Sequence, residues 1–230
     1  MTMAAAPLSY RLTAAFDMAR RVHDTKTIKG TDLPYLLHLL DVCSIALRHG
    51  AEEDQAIAAL LHDVVEDGGG APMAEEIRAE FGDRVTGIVL ACSDSVVQDA
   101  ANKRPWWDRK VAYIDHLAVA SEDVALVSAA DKLSNARAIL ADFASQGDSL
   151  WGRFNTGRAG TLWYYRAIAG ILPGRLPRTE GGERIGKAFT AAVTDLIDAV
   201  GHTTAANDWR LALVEVDKLR AVNASVPGIG

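Results

Sequence analysis

The segment Ala56–Gly70, AIAALLHDVVEDGGG, constrains this chain more than any other stretch. Ala56 to Leu61 is wholly apolar and runs straight into His62 and Asp63, with Glu66 and Asp67 one turn later. A segment that apolar enters a core, so its polar end is delivered to an interior edge. In a helix His62 and Glu66 are i,i+4 neighbours, and so are Asp63 and Asp67. Ionisable groups placed there are costly unless a metal ion or a partner compensates them. A solvated acidic helix end before a glycine loop accounts for the spacing equally well, because perturbed charge clusters are also structural.

Elsewhere helical periodicity dominates and strand alternation is nearly absent, which predicts an all-α bundle. A first helix is expected over Ser9 to His23, followed by a polar connector, Asp24 to Leu33. Thr31 or Asp32 is expected to cap the second helix, with Pro34 in its first turn. That helix runs to Arg48 and stops at His49-Gly50. Glu52 to Asp67 reads as one helix, ended by Gly68-Gly69-Gly70. Further helices are expected at Met73–Glu80, Asp83–Cys92, Trp106–Ala120, Glu122–Phe143, Gly160–Leu172, Glu183–Val200 and Asn207–Val222. The best break is Pro173 to Gly182, with two prolines and three glycines. It separates a main unit, residues 1–175, from an extension, residues 183–224, that reads as two amphipathic helices. So small an extension is expected to pack on the main unit or on a second copy of the chain.

Composition bounds the partners. With 24 Lys+Arg against 30 Asp+Glu the net charge is −6, and no dense basic block appears, so nucleic acid is not the expected ligand. A local basic pocket for a small anion is compatible with that balance. Cys43 and Cys92 are too few for a disulfide framework and fit a reducing compartment. The apolar runs fall far short of the roughly 18 residues that span a bilayer. Met1 to Tyr10 lacks the basic and apolar regions of a secretory signal, so the expected setting is the cytoplasm, away from membranes.

Two more polar residues stand in apolar surroundings. His38 lies inside LPYLLHLLDV; alone, such a histidine is more often a satisfied core residue than a ligand. Asp131 follows the uncharged stretch Val124 to Ala130 and needs a partner, for which Lys132 is the plainest choice. Asn135 lies one turn on, on the same face. Three helices together supply two His and two Asp, a set suited to a borderline divalent ion such as Mn, Fe or Zn.

The segments KGTDLPYLLH, AALLHDVVEDG, EIRAEFGDRV and SAADKLSNAR give the resemblance. The pattern His38, His62-Asp63, Asp131 resembles the metal signature of the HD-domain phosphohydrolases. Its surroundings are similar to the ppGpp-hydrolase domain of the RelA/SpoT family, above all to the free-standing small alarmone hydrolases. The likeness covers about residues 8–172. It implies His38, His62, Asp63 and Asp131 as ligands of one metal ion, usually Mn²⁺, with Fe²⁺ or Zn²⁺ as other divalent choices. HD enzymes with two metals need further histidines, and His49, His116 and His202 stand in unsupportive contexts. Glu66 and Asp67 match the pair that positions or activates the attacking water. Asn135 matches an asparagine beside metal and substrate, Lys29 a basic residue of the nucleotide pocket, and Tyr35 a tyrosine of the same segment. Arg109 and Lys110 correspond to the pyrophosphate end, and Arg158 is a further substrate candidate.

The reaction so implied is hydrolysis of guanosine 3′,5′-bis(diphosphate) at the ribose 3′ position, releasing pyrophosphate and leaving GDP or GTP. The chain departs from the family at Ile28-Lys29, where an Arg-Lys pair is usual, and at Lys26, where glutamine is usual. Ile28 packs against a base but lacks the fork hydrogen bonds of a guanidinium, which implies weaker guanine selectivity. A shifted connector would put Lys26 in the arginine's place. The stretch WGRFNTGRAGTLWYYR reads as either a wall of the nucleotide pocket or an aromatic core stripe. Two other functions fit the same residues: a phosphatase for another nucleotide, such as NADPH losing its 2′-phosphate, and a non-catalytic nucleotide sensor. Glu66 and Asp67 argue against the sensor, which has little need of a water-activating pair.

Overall fold

The computed structural model describes residues 8–93 and 104–201; His202 and the expected helix Asn207–Val222 lie outside them. The chain opens with α1 (Tyr10–Val22), whose N-cap Ser9 accepts from the Arg11 N–H at 3.2 Å. The connector that follows closes on itself. The Ile28 N–H donates to Leu33 O (2.8 Å), the Tyr35 N–H donates to Lys26 O (2.9 Å), and Thr27 faces Pro34 in an isolated antiparallel bridge. Neither Thr31 nor Asp32 caps α2 (Leu36–Arg48), which begins after Tyr35 without a side-chain cap. The Thr31 hydroxyl is spent inside the turn, donating to Ile28 O and accepting from the Leu33 N–H.

The expected helix over Glu52 to Asp67 is two helices, α3 (Glu53–Leu61) and α4 (Val64–Gly68). In a continuous helix Ala59 O would accept the Asp63 N–H. Here the His62 ring takes that carbonyl through Nδ1 at 2.9 Å, a side chain competing with its own helix. Gly69 and Gly70, both at positive φ, then turn the chain into α5 (Ala71–Phe81). α6 (Asp83–Cys92) and α7 (Trp106–Leu117) lead to the long α8 (Glu122–Gln146). A 3₁₀ segment, Gly147–Arg153, precedes α9 (Gly157–Ile171), and another, Leu172–Gly174, precedes α10 (Glu180–Gly201). Among the described residues there is no strand, in keeping with the all-α expectation, and no helix is long and apolar enough to cross a membrane.

α3 is buried on every side from Gln55 to Leu61, packed among α1, α2, α6 and α8. α8 is buried without a gap from Val124 to Asp131. The two deepest helices therefore carry the polar residues that interrupt them, His62 and Asp131, into the centre of the bundle. Their N-terminal ends are tied together outside. Gln55 closes a capping box on Glu52 and donates to Asp123, and Arg84 bridges Glu52 and Asp123 at 2.9 and 3.0 Å.

α10 covers α8 and α9 with Ile185, Phe189, Val193, Leu196 and Val200. Its first turn lies so close to the end of α2 that a Cβ on Gly181 would sit 2.0 Å from His49 O. Gly→Ala within a helix ordinarily stabilises by up to about 1 kcal/mol. At Gly181 the overlap reverses the sign, with overpacking costs of about 1–3 kcal/mol. Urea unfolding of Gly181→Ala should show a lower midpoint than the parent; a higher one would show that α10 is not seated on α2.

Candidate metal centre

Three elements converge at the centre of the bundle. α2 brings His38, the junction of α3 and α4 brings His62 and Asp63, and the middle of α8 brings Asp131. His38 Nε2 lies 3.4 Å and His62 Nε2 3.7 Å from the same oxygen, Asp131 Oδ1. The two imidazoles meet edge to face, with centroids 5.2 Å apart. One ligand atom from each of His38, His62 and Asp131 lies within 4.8 Å of the others. Ligands about 2.1 Å from a common ion stand roughly 3.0–3.4 Å apart, so these separations suit one small divalent ion after slight contraction.

The tautomers suit it as well. With Nδ1 of His62 donating to Ala59 O, Nε2 is the ligating nitrogen, and that atom is buried with no hydrogen-bond partner. Nδ1 of His38 faces Ser134 Oγ at 3.4 Å, and Ser134 in turn donates to Asp41 Oδ2 at 2.6 Å. Nε2 of His38 is thereby also turned to the centre. An orphaned imidazole nitrogen beside two buried carboxylates is what a cation-binding site requires, and the residues present fit a metal.

The electrostatics agree. Burial alone would lower the His62 pKa, but Asp63 and Asp131 outweigh it and hold it up at about 9. Burial would raise both carboxyls; the imidazoles overcome it at Asp63, and Lys132 with His38 and His62 overcomes it at Asp131, so both are held below the usual carboxylate range. The cluster thus draws positive charge to itself. Lys132 supplies some of it from behind, with Nζ 2.5 Å from Asp131 Oδ2 and over the rings of Tyr113 and Tyr164. Burial would lower the Lys132 pKa, yet Asp131 raises it well above the ordinary lysine value. One carboxylate oxygen of Asp131 is thus held by Lys132, and the other faces the histidines.

Asp63 stands beside the trio rather than within it. Its Oδ2 is 3.2 Å from His62 Nε2 and also accepts the Tyr35 hydroxyl. Burial and the Asp63 charge push the Tyr35 pKa up, which keeps the phenol protonated for that bond. Asn135 donates to Asp131 Oδ1. Glu66 is half-buried on α4, and Asp67, next to it, is joined through Oδ2 to His23 Nε2 at 3.2 Å and to Lys26. Lys26 also lies over the Tyr35 ring, 4.3 Å from its centroid.

The remaining sequence candidates lie further out. Lys29 is exposed in the connector. Arg109 donates to Arg104 O and lines a small cavity with Ser93, Tyr113 and His116. Lys110 caps the Tyr164 ring at 4.8 Å, and Arg158 pairs with Asp148 at 3.4 Å. Trp163, Tyr164 and Tyr165 are buried, with Trp163 packed against Trp106 and Trp107, so these rings form core rather than an open wall. His49 ends α2 with its ring bonded to Ile45 O, and His116 is exposed on α7.

Three residues at the centre had no place in the sequence reading. Asp41 and Ser134 follow His38 and Asp131 by three residues, a spacing that puts each pair on one helix face. His23 has no such signal, because its contact with Asp67 spans 44 residues.

The profile of the HD domain matches residues 15–162. The chain belongs to the HD-domain family. HD domains are metal-dependent, in keeping with the His/Asp centre. Over 106 residues the chain is 38% identical to the guanosine-3′,5′-bis(diphosphate) 3′-pyrophosphohydrolase MESH1 of Xenopus tropicalis, covering 45% of this chain and 55% of that one. The protein of the same name from Drosophila melanogaster is 33% identical over 108 residues, 46% of this chain and 56% of its own. The chain therefore spans about half the length of these curated relatives. A solved metazoan ortholog of SpoT, described as hydrolysing ppGpp, superimposes with a TM-score of 0.64 at 25% identity, over 82% of this chain and 97% of that one.

Metal binding at this centre stabilises the fold by mass action, about 2.7 kcal/mol at a hundredfold excess over Kd. For a chain of this size that is a rise in Tm of about 5–10 °C. Calorimetry of metal-stripped protein with an added divalent ion should show this rise, and His62→Ala should abolish it. An equal rise in the variant would place the ion elsewhere.

Proposed function

We propose that the protein is a Mn²⁺-dependent 3′-pyrophosphohydrolase of guanosine 3′,5′-bis(diphosphate), yielding GDP and pyrophosphate. The observation that carries this reading is the orphaned, buried His62 Nε2 facing Asp131 beside the Glu66-Asp67 pair, in a chain similar to two proteins named for that reaction. In this reading His38, His62, Asp63 and Asp131 hold the ion, and Fe²⁺ or Zn²⁺ are the alternatives its ligands accept. A bound divalent ion lowers the pKa of its water and screens phosphate oxygens.

The chain's own groups do the rest. Asp67, kept ionised by the bonds from His23 and Lys26 that overcome its partial burial, takes the proton of the attacking water. Glu66 orients that water. The water oxygen bonds to the phosphorus on the ribose 3′ oxygen, that P–O bond breaks, and the 3′ oxygen leaves with the proton that Asp67 took up, which returns Asp67 to its ionised form. Lys26 and Tyr35 form the wall where α1 and the connector meet, and Lys26 exchanges Asp67 for a substrate phosphate. Asn135, Lys29, Arg109, Lys110 and Arg158 complete the polar and cationic surroundings of the nucleotide, since phosphoryl transfer needs positioning and charge neutralisation above all. Residues 1–175 are the hydrolase unit. Residues 183–224 are an extension of that unit, whose described part, to residue 201, lies on α8 and α9 within α10, and the setting is the cytoplasmic nucleotide pool.

Purified protein supplied with Mn²⁺ and ppGpp should release pyrophosphate and GDP, followed by ³¹P NMR with His62→Ala as the blank. Orthophosphate from NADPH, with ppGpp untouched, would keep the centre and replace the substrate. Asp67→Asn should lower kcat by roughly 10²–10⁴-fold. Lys26→Ala should instead raise KM by roughly 10–100-fold, the cost of one charge-assisted bond to phosphate. An unchanged KM would remove Lys26 from the nucleotide pocket.

A further inference from the structure

His23 is a buried polar residue with no part in the sequence reading or in the metal centre. It ends α1, where both its backbone N–H (3.0 Å) and its ring Nδ1 (2.9 Å) reach Ala19 O. The ring stacks on Tyr35 with centroids 5.1 Å apart and planes 29° from parallel. Held at two points, it leaves its Nε2 one place to be, 3.2 Å from Asp67 Oδ2. Nδ1 thus faces a carbonyl and Nε2 a carboxylate, so the ring is held between two acceptors.

Lys26 reaches the same Asp67 oxygen, but the two donors differ in kind. The His23 side chain is wholly buried, whereas that of Lys26 is 39% exposed on a flexible stem. An exposed ammonium is free to follow a phosphate; a buried, anchored imidazole is not. Both donors use Oδ2, and Asp67 Oδ1 has no hydrogen-bond partner among the described residues.

We propose that His23 is a positioning residue that holds Asp67 by Oδ2 and so keeps Oδ1 available to accept the proton of the attacking water. The inference rests on the hydrolase reading above. Its physical basis is preorganisation: a group fixed by a rigid neighbour spends no reaction step finding its place, and a misplacement of about 1 Å costs on the order of 10²-fold in rate.

The test is a set of variants assayed on the full chain with Mn²⁺ and ppGpp. His23→Leu should lower kcat about 10²-fold. KM and the Mn²⁺ half-saturation should stay within about twofold, the pattern of an interaction made only in the transition state. His23→Gln, whose amide nitrogen reaches the place of Nε2, should recover most of the loss. In an Asp67→Asn background His23→Leu should add nothing, because both act through one carboxylate. A merely structural role would lower Tm, raise KM together with the loss in kcat, and persist in the Asp67→Asn background; that result overturns the proposal.

A readout without turnover keeps the two claims apart. The His23 Nε2–H resonance in an imidazole-selective ¹H–¹⁵N spectrum should shift in Asp67→Asn. A shift in a protein that leaves ppGpp intact would overturn the hydrolase reading and leave the contact standing. An unresponsive resonance in an active protein would overturn the role of His23 alone.

Discussion

One ring nitrogen organises the centre of this molecule. Nδ1 of His62 takes the carbonyl of Ala59, and in doing so it ends α3, starts a new helix at Val64 and turns Nε2 toward Asp131. A continuous helix would have carried Asp63, Glu66 and Asp67 along one regular spiral. The break lets Asp63 turn to Tyr35 while Asp67 turns to His23 and Lys26. The local cost of a lost helical bond is small, of order 1 kcal/mol. Nε2 makes no hydrogen bond but stands 3.2 Å from Asp63 Oδ2 and 3.7 Å from Asp131 Oδ1, a donor set that a cation between them would satisfy.

The bundle around this point is built to keep charges affordable in a dry place. α3 and α8 are the most enclosed helices, and their buried polar residues Gln55, Ser128, Asp131 and Ser134 are each answered from another element. Lys132 neutralises one oxygen of Asp131 from the side of α7 and α9, where Tyr113 and Tyr164 cover its ammonium. Ser134 and Asp41 orient His38 from the side of α2. Removing one member of such a set strands the rest, which is why buried pairs cost far more to break than they contribute as a whole. The aromatic residues near α9 serve the same end. Trp106, Trp107 and Trp163 pack against one another and on Tyr164, which covers the Lys132 ammonium.

Much of this was legible in the sequence because it is local. Ser9 at the head of α1, Gly50 after α2 and the Asp83–Cys92 span of α6 follow from caps, glycines and period. His38, His62 and Asp131 were visible because each interrupts an apolar run, and an interruption of that kind has to be compensated. The parts that stayed hidden depend on contacts distant in sequence. Thr31 and Asp32 have the chemistry of helix caps, yet the connector folds back on its own backbone and uses the Thr31 hydroxyl there. The division of Glu52–Asp67 into α3 and α4 depends on which nitrogen of one histidine finds a carbonyl. His23 and Asp67 meet only after α1 has packed beside α4.

The connector also shows how the chain accommodates Ile28, where the resembling family has arginine. What holds this turn is the backbone: the Ile28 N–H on Leu33 O and the Tyr35 N–H on Lys26 O. Neither bond depends on the side chain at position 28, so the turn tolerates a change there that alters the surface offered to a ligand. The same turn sets Lys26 over Tyr35, and Tyr35 is bonded to Asp63 at the metal centre. Side-chain identity at position 28 is thus separated from the geometry at positions 26 and 35. The side chain at position 28 is therefore free to vary while Lys26, Tyr35 and Asp63 keep their contacts.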